Sequence, residues 1–293
     1  MNAFHTLRFK NKQYLDDYEI LTMILSALEW RKHNGNIFLY TDIKGKEYVE
    51  MLGLKHIYNG INACLDSIDN YGINENIFWA GAKIFALQKQ QIPCVMMDID
   101  FIVWKRINCG LNKNGLSVIH FENIDPNVYP SEHYFKLKKN FYFPKNLDWH
   151  IKPANCAFVI FESESFIKKY CSFAVEFMEN ININTPDLPY MVFIEQRWLS
   201  MCAKLMRLKC HAICNLIELF SPYQDLFTHL WGFKKQIINN SEENNKFCHK
   251  CIRRLKNDFP DYFWNIINNK YVNKYLSPQV EKNVASWEMP PAT

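Results

Sequence analysis

Two periods organise the hydrophobic positions of the chain. Ile20, Leu21, Ile24, Leu25 and Leu28 recur at helical spacing after Asp16 and Asp17, either of which suits a helix cap. Lys32 and His33 suit the last turn of that helix, and Gly35 the position beyond it. Residues 36–42, Asn-Ile-Phe-Leu-Tyr-Thr-Asp, then read as a short apolar strand with a polar end. A short helix is expected over 47–52, closed by Gly53. The next helical stretch starts at Asn74 or Asn76 and carries Phe78, Trp79, Lys83, Phe85 and Leu87. Beyond Pro93, residues 94–98 form a continuous apolar run ending in Asp98, the pattern of a strand buried on both faces. Such alternation predicts an α/β fold with a mainly parallel sheet flanked by helices. Ligands bind such sheets at the carboxyl ends of the strands, where Asp42 and Asp98 both fall.

Residues 105–150 lack a clear period and are rich in aromatics, as an insertion covering a substrate site would be. A strand over 155–161, a helix over 165–179 with Phe166, Tyr170, Phe173 and Phe177 on one face, a helix over 194–208 and a strand near 211–216 follow. The character then changes, which divides the chain into a catalytic domain, 1–240, and a basic, aromatic helical tail, 241–293. Between Lys246 and Tyr275 the tail holds seven Lys or Arg against two Asp. That composition suits packing on the domain, and it also suits peripheral contact with an anionic membrane surface.

Composition narrows the function classes. The net charge of +4 is too mild and too dispersed for a nucleic-acid partner. No apolar run is long enough to span a membrane, and the first residues turn polar too early for a secretory signal. The ten cysteines are scattered, several within apolar runs, as expected of reduced thiols in a cytoplasmic protein. Cys248 and Cys251, with His249 between them, resemble half a zinc site without a second half at suitable spacing.

The candidate chemistry centres on Val95-Met-Met-Asp98-Ile-Asp100-Phe-Ile-Val103. In an extended segment, residues two apart point the same way, so the two carboxylates converge. A divalent cation relieves their repulsion and prefers oxygen ligands. Downstream lies Thr228-His229-Leu-Trp231-Gly232-Phe-Lys234-Lys235. There His229 offers a third ligand for a manganese-like ion, Gly232 permits close backbone approach, and Lys234 is a point charge suited to a phosphate. Lys83, one turn after Trp79, is a further candidate for a phosphate.

The apolar Asp-x-Asp segment with a later His-x-x-Gly-x-Lys resembles the metal-dependent nucleotide-sugar glycosyltransferases of the GT-A, Rossmann-like fold. The likeness is to the glycogenin and lipopolysaccharide galactosyltransferase type and to bacterial capsular polysaccharide enzymes. It implies that Asp98, Asp100 and His229 bind Mn2+ (or Mg2+) and that Lys234 contacts the diphosphate of a nucleotide sugar, a UDP-sugar first. It also implies that Tyr40, Thr41 and Asp42, at an early strand end, hold the nucleoside. Asn155 resembles the family's Asn-led strand near the donor sugar. Glu195-Gln196 resembles its acidic-Gln pair beside sugar and acceptor, with Glu in place of the commoner Asp. The Lys-Pro-Trp ending of the family is replaced here by Lys234-Lys235-Gln236. The implied reaction is hexosyl transfer to a glycan or lipid-linked acceptor with retention, Gln196 lying near the reacting carbon. Inversion would instead call on Glu195 as base. Two other classes share parts of the pattern: a non-catalytic binding protein on the same fold, and a haloacid dehalogenase-type phosphatase, which would need a later acidic pair.

Overall fold

A computed structural model of the chain describes residues 1–10, 14–107, 115–221 and 223–266. Its first part alternates strand and helix: β1 (Asn2–Leu7), α1 (Asp17–His33), β2 (Ile37–Thr41), α2 (Ile43–Met51), β3 (Gly60–Ala63), α3 (Gly81–Leu87) and β4 (Cys94–Met97). The second part is less regular. It comprises β5 (Phe101–Val103), β6 (Leu116–Val118), β7 (Phe158–Phe161), α4 (Glu164–Glu179), α5 (Leu188–Val192), α6 (Trp198–Leu205), β8 (Cys210–Ala212), α7 (Leu216–Leu219) and β9 (Phe227–His229). Helices α8 (Lys234–Asn239), α9 (Ser241–Asp258) and α10 (Pro260–Ile266) follow.

Among the described residues, seven strands form one sheet in the order β3-β2-β1-β4-β7-β6-β8. The pairs from β3 to β4 are parallel, as is β6 with β8, whereas β7 runs antiparallel to both neighbours. The architecture is therefore α/β, with a mostly parallel sheet flanked by helices. Strand β1 sits mid-sheet although its sequence gave no expectation of one, because the polar His5 and Thr6 interrupt the apolar pattern. His5 is fully buried, and its ring meets Tyr58 Oη at 2.9 Å and Ser26 Oγ at 3.1 Å.

Several element boundaries depart from the sequence pattern for local reasons. Helix α2 starts at Ile43, not Glu47, because the Asp42 side chain accepts a hydrogen bond from Gly45 N at 2.8 Å. Helix α3 starts at Gly81: Asn74 Oδ1 accepts from Asn76 N, a turn of its own that delays the helix. The stretch expected as one helix over 194–208 begins inside a π-helical turn over Phe193–Arg197, which continues from α5, and then runs through α6 only to Leu205. Of the expected irregular region 105–150, residues 108–114 lie outside the described ones; the rest is mostly irregular, although β6 within it joins the main sheet.

The sheet separates two packed cores. One packs Leu21, Ile24, Leu25 and Leu28 of α1 with Phe247, Cys251, Ile252 and Leu255 of α9. The other is dense in aromatic rings from the irregular region, α4 and the π-helical turn. The first half of the tail thus shares a core with α1, and residues beyond 266 lie outside the described ones. Cys248 and Cys251 are buried within that core, and burial pushes the Cys251 thiol well above its usual range. Cys248 Sγ donates to Asn244 Oδ1 at 3.1 Å, and among the described residues neither thiol belongs to a cluster of three or more groups able to hold a metal. None of the described helices is long and apolar enough to cross a membrane.

Candidate active site

The acidic pair lies at the carboxyl end of β4, in the link to β5. It converges for a reason other than strand alternation. Phe101 N donates to Asp98 O at 3.0 Å, so residues 98–101 close a turn rather than continue the strand. Beyond the turn, β5 leaves the main sheet and pairs antiparallel with β9, with Phe101 opposite His229. That register brings the imidazole beside Asp100. One potential ligand atom each from Asp98, Asp100 and His229 lie within 4.8 Å of one another.

Both sides of this ribbon are fixed. Phe101 stacks on Phe158 and Phe227, with centroids 5.5 and 5.0 Å apart. Ser26 Oγ donates to Phe101 O at 2.5 Å while meeting His5, and Trp104 Nε1 donates to Thr228 Oγ1 at 2.8 Å. A short hydrogen-bonded chain through the α1 face therefore ends on the carbonyl adjacent to Asp100.

Two lysines reach the acidic pair. Lys234, the first residue of α8, places Nζ 2.7 Å from Asp100 Oδ2. Burial works against ionisation of Asp100, but His229 and Lys234 outweigh it and hold its carboxyl below the usual range. Burial lowers the affinity of His229 for a proton, against the pull of Asp100 and Asp98, so the imidazole favours the neutral form that can bind a metal. On the other side, Lys83 of α3 pairs with Asp98 and lies 2.6 Å from Glu195 Oε1. Burial opposes the charge on Lys83, yet two adjacent carboxylates raise its pKa overall. Burial and the neighbouring Asp98 raise the pKa of Glu195 even though Lys83 opposes them, because one ammonium serves two carboxylates.

Glu195 owes its position to the π-helical turn. Such a turn displaces a carbonyl from the regular ladder. Here Glu195 O accepts from Tyr170 Oη at 2.9 Å and from Cys156 Sγ at 3.0 Å. Gln196 faces elsewhere: its Oε1 accepts from Tyr129 Oη at 2.5 Å. Asn155 is buried, donates to Glu122 Oε1 at 2.8 Å and accepts from Ala157 N at 3.0 Å. Glu122 also meets His120 Nε2 at 3.0 Å. Arg197 Nη1 donates to the carbonyls of Tyr129 and Pro130, which ties the irregular region to the same turn.

A cleft of about 390 Å³ opens over these groups. Asp98, Asp100, Lys83, Glu195 and Lys234 line it, with Thr6, Leu7 and Arg8 from the end of β1 and Leu15 and Glu19 from the start of α1. Of the residues singled out in the sequence, these five carboxylates and lysines line the cleft together with Trp79, whereas His229, Gln196 and Asn155 do not. Tyr40, Thr41 and Asp42 do not line it. Thr41 and Asp42 are buried, and Asp42 is engaged by Phe9 N at 2.9 Å as well as by Gly45 N. Tyr40 packs edge-on against Phe4, centroids 5.7 Å apart. Gly232 is exposed in the turn between β9 and α8. Asp225, just upstream of β9, is largely exposed and paired with Lys105.

Sequence reasoning missed Thr6, Arg8, Glu19, His120, Glu122 and Tyr129. Arg8 is held inside the fold: its side chain is 7% exposed, and Glu75, Asp69 and Asp42 surround it. None of the six sits in a recognisable motif, and only the fold collects them.

No curated protein matches the sequence. Solved structures similar to this chain include a protein described as PaToxG glycosyltransferase, 15% identical, with a TM-score of 0.42 over 70% of this chain and 68% of that one. Mouse xyloside xylosyltransferase 1 is 10% identical, TM-score 0.42, over 73% of this chain and 85% of that one. The glycosyltransferase GlyE of Streptococcus pneumoniae TIGR4 is 10% identical, TM-score 0.38, over all of this chain and 66% of that one. Residues 6–269 match the model of a family of unknown function, DUF6734, and the chain belongs to that family.

Proposed function

We propose that the protein is a divalent-metal-dependent glycosyltransferase of the GT-A type, taking a sugar from a nucleotide diphosphate to a glycan or lipid-linked acceptor. The observation that carries this is the meeting of Asp98, Asp100 and His229, from distant parts of the chain, at the carboxyl end of a mostly parallel sheet, with Lys234 beside them.

The residues fit an ion. One ligand atom from each of the three residues falls within 4.8 Å of the other two, close enough for a single divalent ion to gather them. Two carboxylates with a neutral imidazole suit Mn2+ better than an all-oxygen site would. When bound, such an ion neutralises charge building on a departing diphosphate. The side chains do the rest. Lys234 adds a positive charge on the leaving-group side, preorganised so that little rearrangement is needed in the transition state. Lys83 holds Glu195 at the edge of the cleft, where its carboxylate orients sugar hydroxyls. Retention is the proposed outcome. Of the acidic-Gln pair, Glu195 rather than Gln196 then stands on the donor-sugar side, with Gln196 and Asn155 shaping the wall behind it.

Thermal unfolding with a panel of nucleoside diphosphates, with and without Mn2+, tests the assignment. One nucleotide, with UDP expected first, should stabilise the protein by about 2.7 kcal/mol at a hundred times its dissociation constant. The shift should require Mn2+ and vanish in Asp100→Ala. Absence of a shift with every nucleotide would overturn the donor assignment. NMR of the product anomer then separates retention from inversion.

A further inference from the structure

We propose that Trp79 forms the floor of a saccharide acceptor site at the rim of the cleft. The proposal rests on the glycosyltransferase assignment and goes on to identify the acceptor's chemistry as a pyranose ring.

Trp79 is 54% exposed and lines the same cleft as Lys83, Asp98 and Glu195. Its neighbours Ile77 and Phe78 are buried in the aromatic core, so the apolar demands of this turn are met without the indole. The backbone that carries it is held from both ends. Ala80 N lies 3.4 Å from Met191 Sδ, and Asn74 Nδ2 donates to Asn184 O at 3.4 Å. Gly81 packs so closely on α4 that a Cβ there would lie 3.1 Å from Met178 Sδ. The indole is thus a large apolar surface presented to solvent by a fixed backbone. Scattered exposed rings are ordinary, but this one borders the candidate reacting groups.

The position selects the ligand. Trp79 lies in the turn just before α3, and Lys83 of that helix reaches Asp98 and Glu195. Trp79 and Lys83 line the cleft together, which puts the indole on the part of the lining built from this turn and α3. Lys234 and the end of β1 supply other parts of the lining. A broad apolar face beside a few placed polar groups is the usual recipe for binding a small ligand. The apolar C–H face of a pyranose covers an indole while its hydroxyls reach groups such as Glu195. A lipid chain would want a continuous apolar channel, and the cleft floor here is ionic.

Four disaccharides, lactose, maltose, cellobiose and chitobiose, would be titrated by saturation-transfer NMR into the intact protein, alone and with Mn2+ and the nucleotide that binds. At least one should show saturation of its ring C–H protons. In Trp79→Ala its affinity should fall at least tenfold, Trp79→Phe should restore part of it, and the nucleotide-dependent thermal shift should persist. Failure of all four sugars to bind, or binding unchanged in Trp79→Ala, overturns the proposal. Loss of the nucleotide shift in Trp79→Ala would show a base-stacking role instead and also overturn it. If no nucleotide binds the wild type, the donor assignment fails separately, while the sugar titration still decides the role of Trp79.

Discussion

The two faces of the sheet hold their parts of the site by different means. On the α1 and α9 face the core is mainly aliphatic, and a polar chain of Tyr58, His5 and Ser26 passes through it to the carbonyl of Phe101. On the α4 and α6 face the π-helical turn is set among rings: Phe193 lies 4.8 Å from Phe135, 4.9 Å from Phe177 and 5.6 Å from Trp149. On the Asp100 side a hydrogen-bonded chain supplements the Phe101 ring stack, and on the Glu195 side dense ring packing supplements the bonds that Tyr170 and Cys156 make to the turn. Directional bonds define a single register for a three-residue strand. Ring packing tolerates the irregular backbone of a π-helical turn, because it constrains volume rather than direction.

The largest expected break is on the aromatic face. Phe177→Ala should cost about 3–5 kcal/mol in chemical denaturation, since the fully buried ring leaves a cavity shared by several neighbours. Where the variant still folds, it should weaken sugar binding at the Glu195 side and leave the Mn2+-dependent nucleotide shift in place. A variant losing both equally would show that the two faces are not independent. Next comes Ser26→Ala, expected to cost about 1–3 kcal/mol because it leaves Phe101 O without its donor and His5 without one partner. Its signature should be the reverse: a weaker response to Mn2+, read by titration of the ion with the nucleotide present.

A further effect is graded and concerns acid. Burial depresses the His5 pKa to about 3 in the fold, from an ordinary value near 6.5. Below that ordinary value the unfolded chain takes up a proton that the folded chain refuses, so folding stability declines as pH falls through this window. The slope from His5 alone is about 1.4 kcal/mol per pH unit between those limits. Denaturation midpoints of wild type and His5→Gln across pH 6.5 to 4 should diverge accordingly, with the variant less acid-sensitive. Parallel curves would show that His5 is reached by water in the folded state.

The sequence displayed some of this and concealed the rest. The grouping of Asp98, Asp100 and His229 was legible because the proposed ion chemistry restricts residue type, and an apolar run marked where β4 ends. The α1 helix and its flanking strand were legible because their periods are long enough to count. Strands β5 and β9 were not, being three residues each, too short for any period to appear. The π-helical turn was concealed because its composition is that of an α-helix, and its cause lies in Tyr170 and Cys156, well away in sequence. Tyr40, Thr41 and Asp42 fell at a strand end as expected. The demands of the α2 cap, unlike those of a ligand, were not distinguishable from sequence alone.

The β5 and β9 ribbon has a consequence for biogenesis. Trp104 and Thr228 are joined across it although 124 positions separate them along the chain. A ribosome delivers the acidic pair long before the imidazole and Lys234. The nascent domain therefore carries two adjacent carboxylates with no third ligand while most of its sheet is already available to fold. Completion of the proposed ion site arrives with one late, long-range closure, so a chain truncated before residue 227 is expected to retain much of the sheet but not the full candidate ligand set.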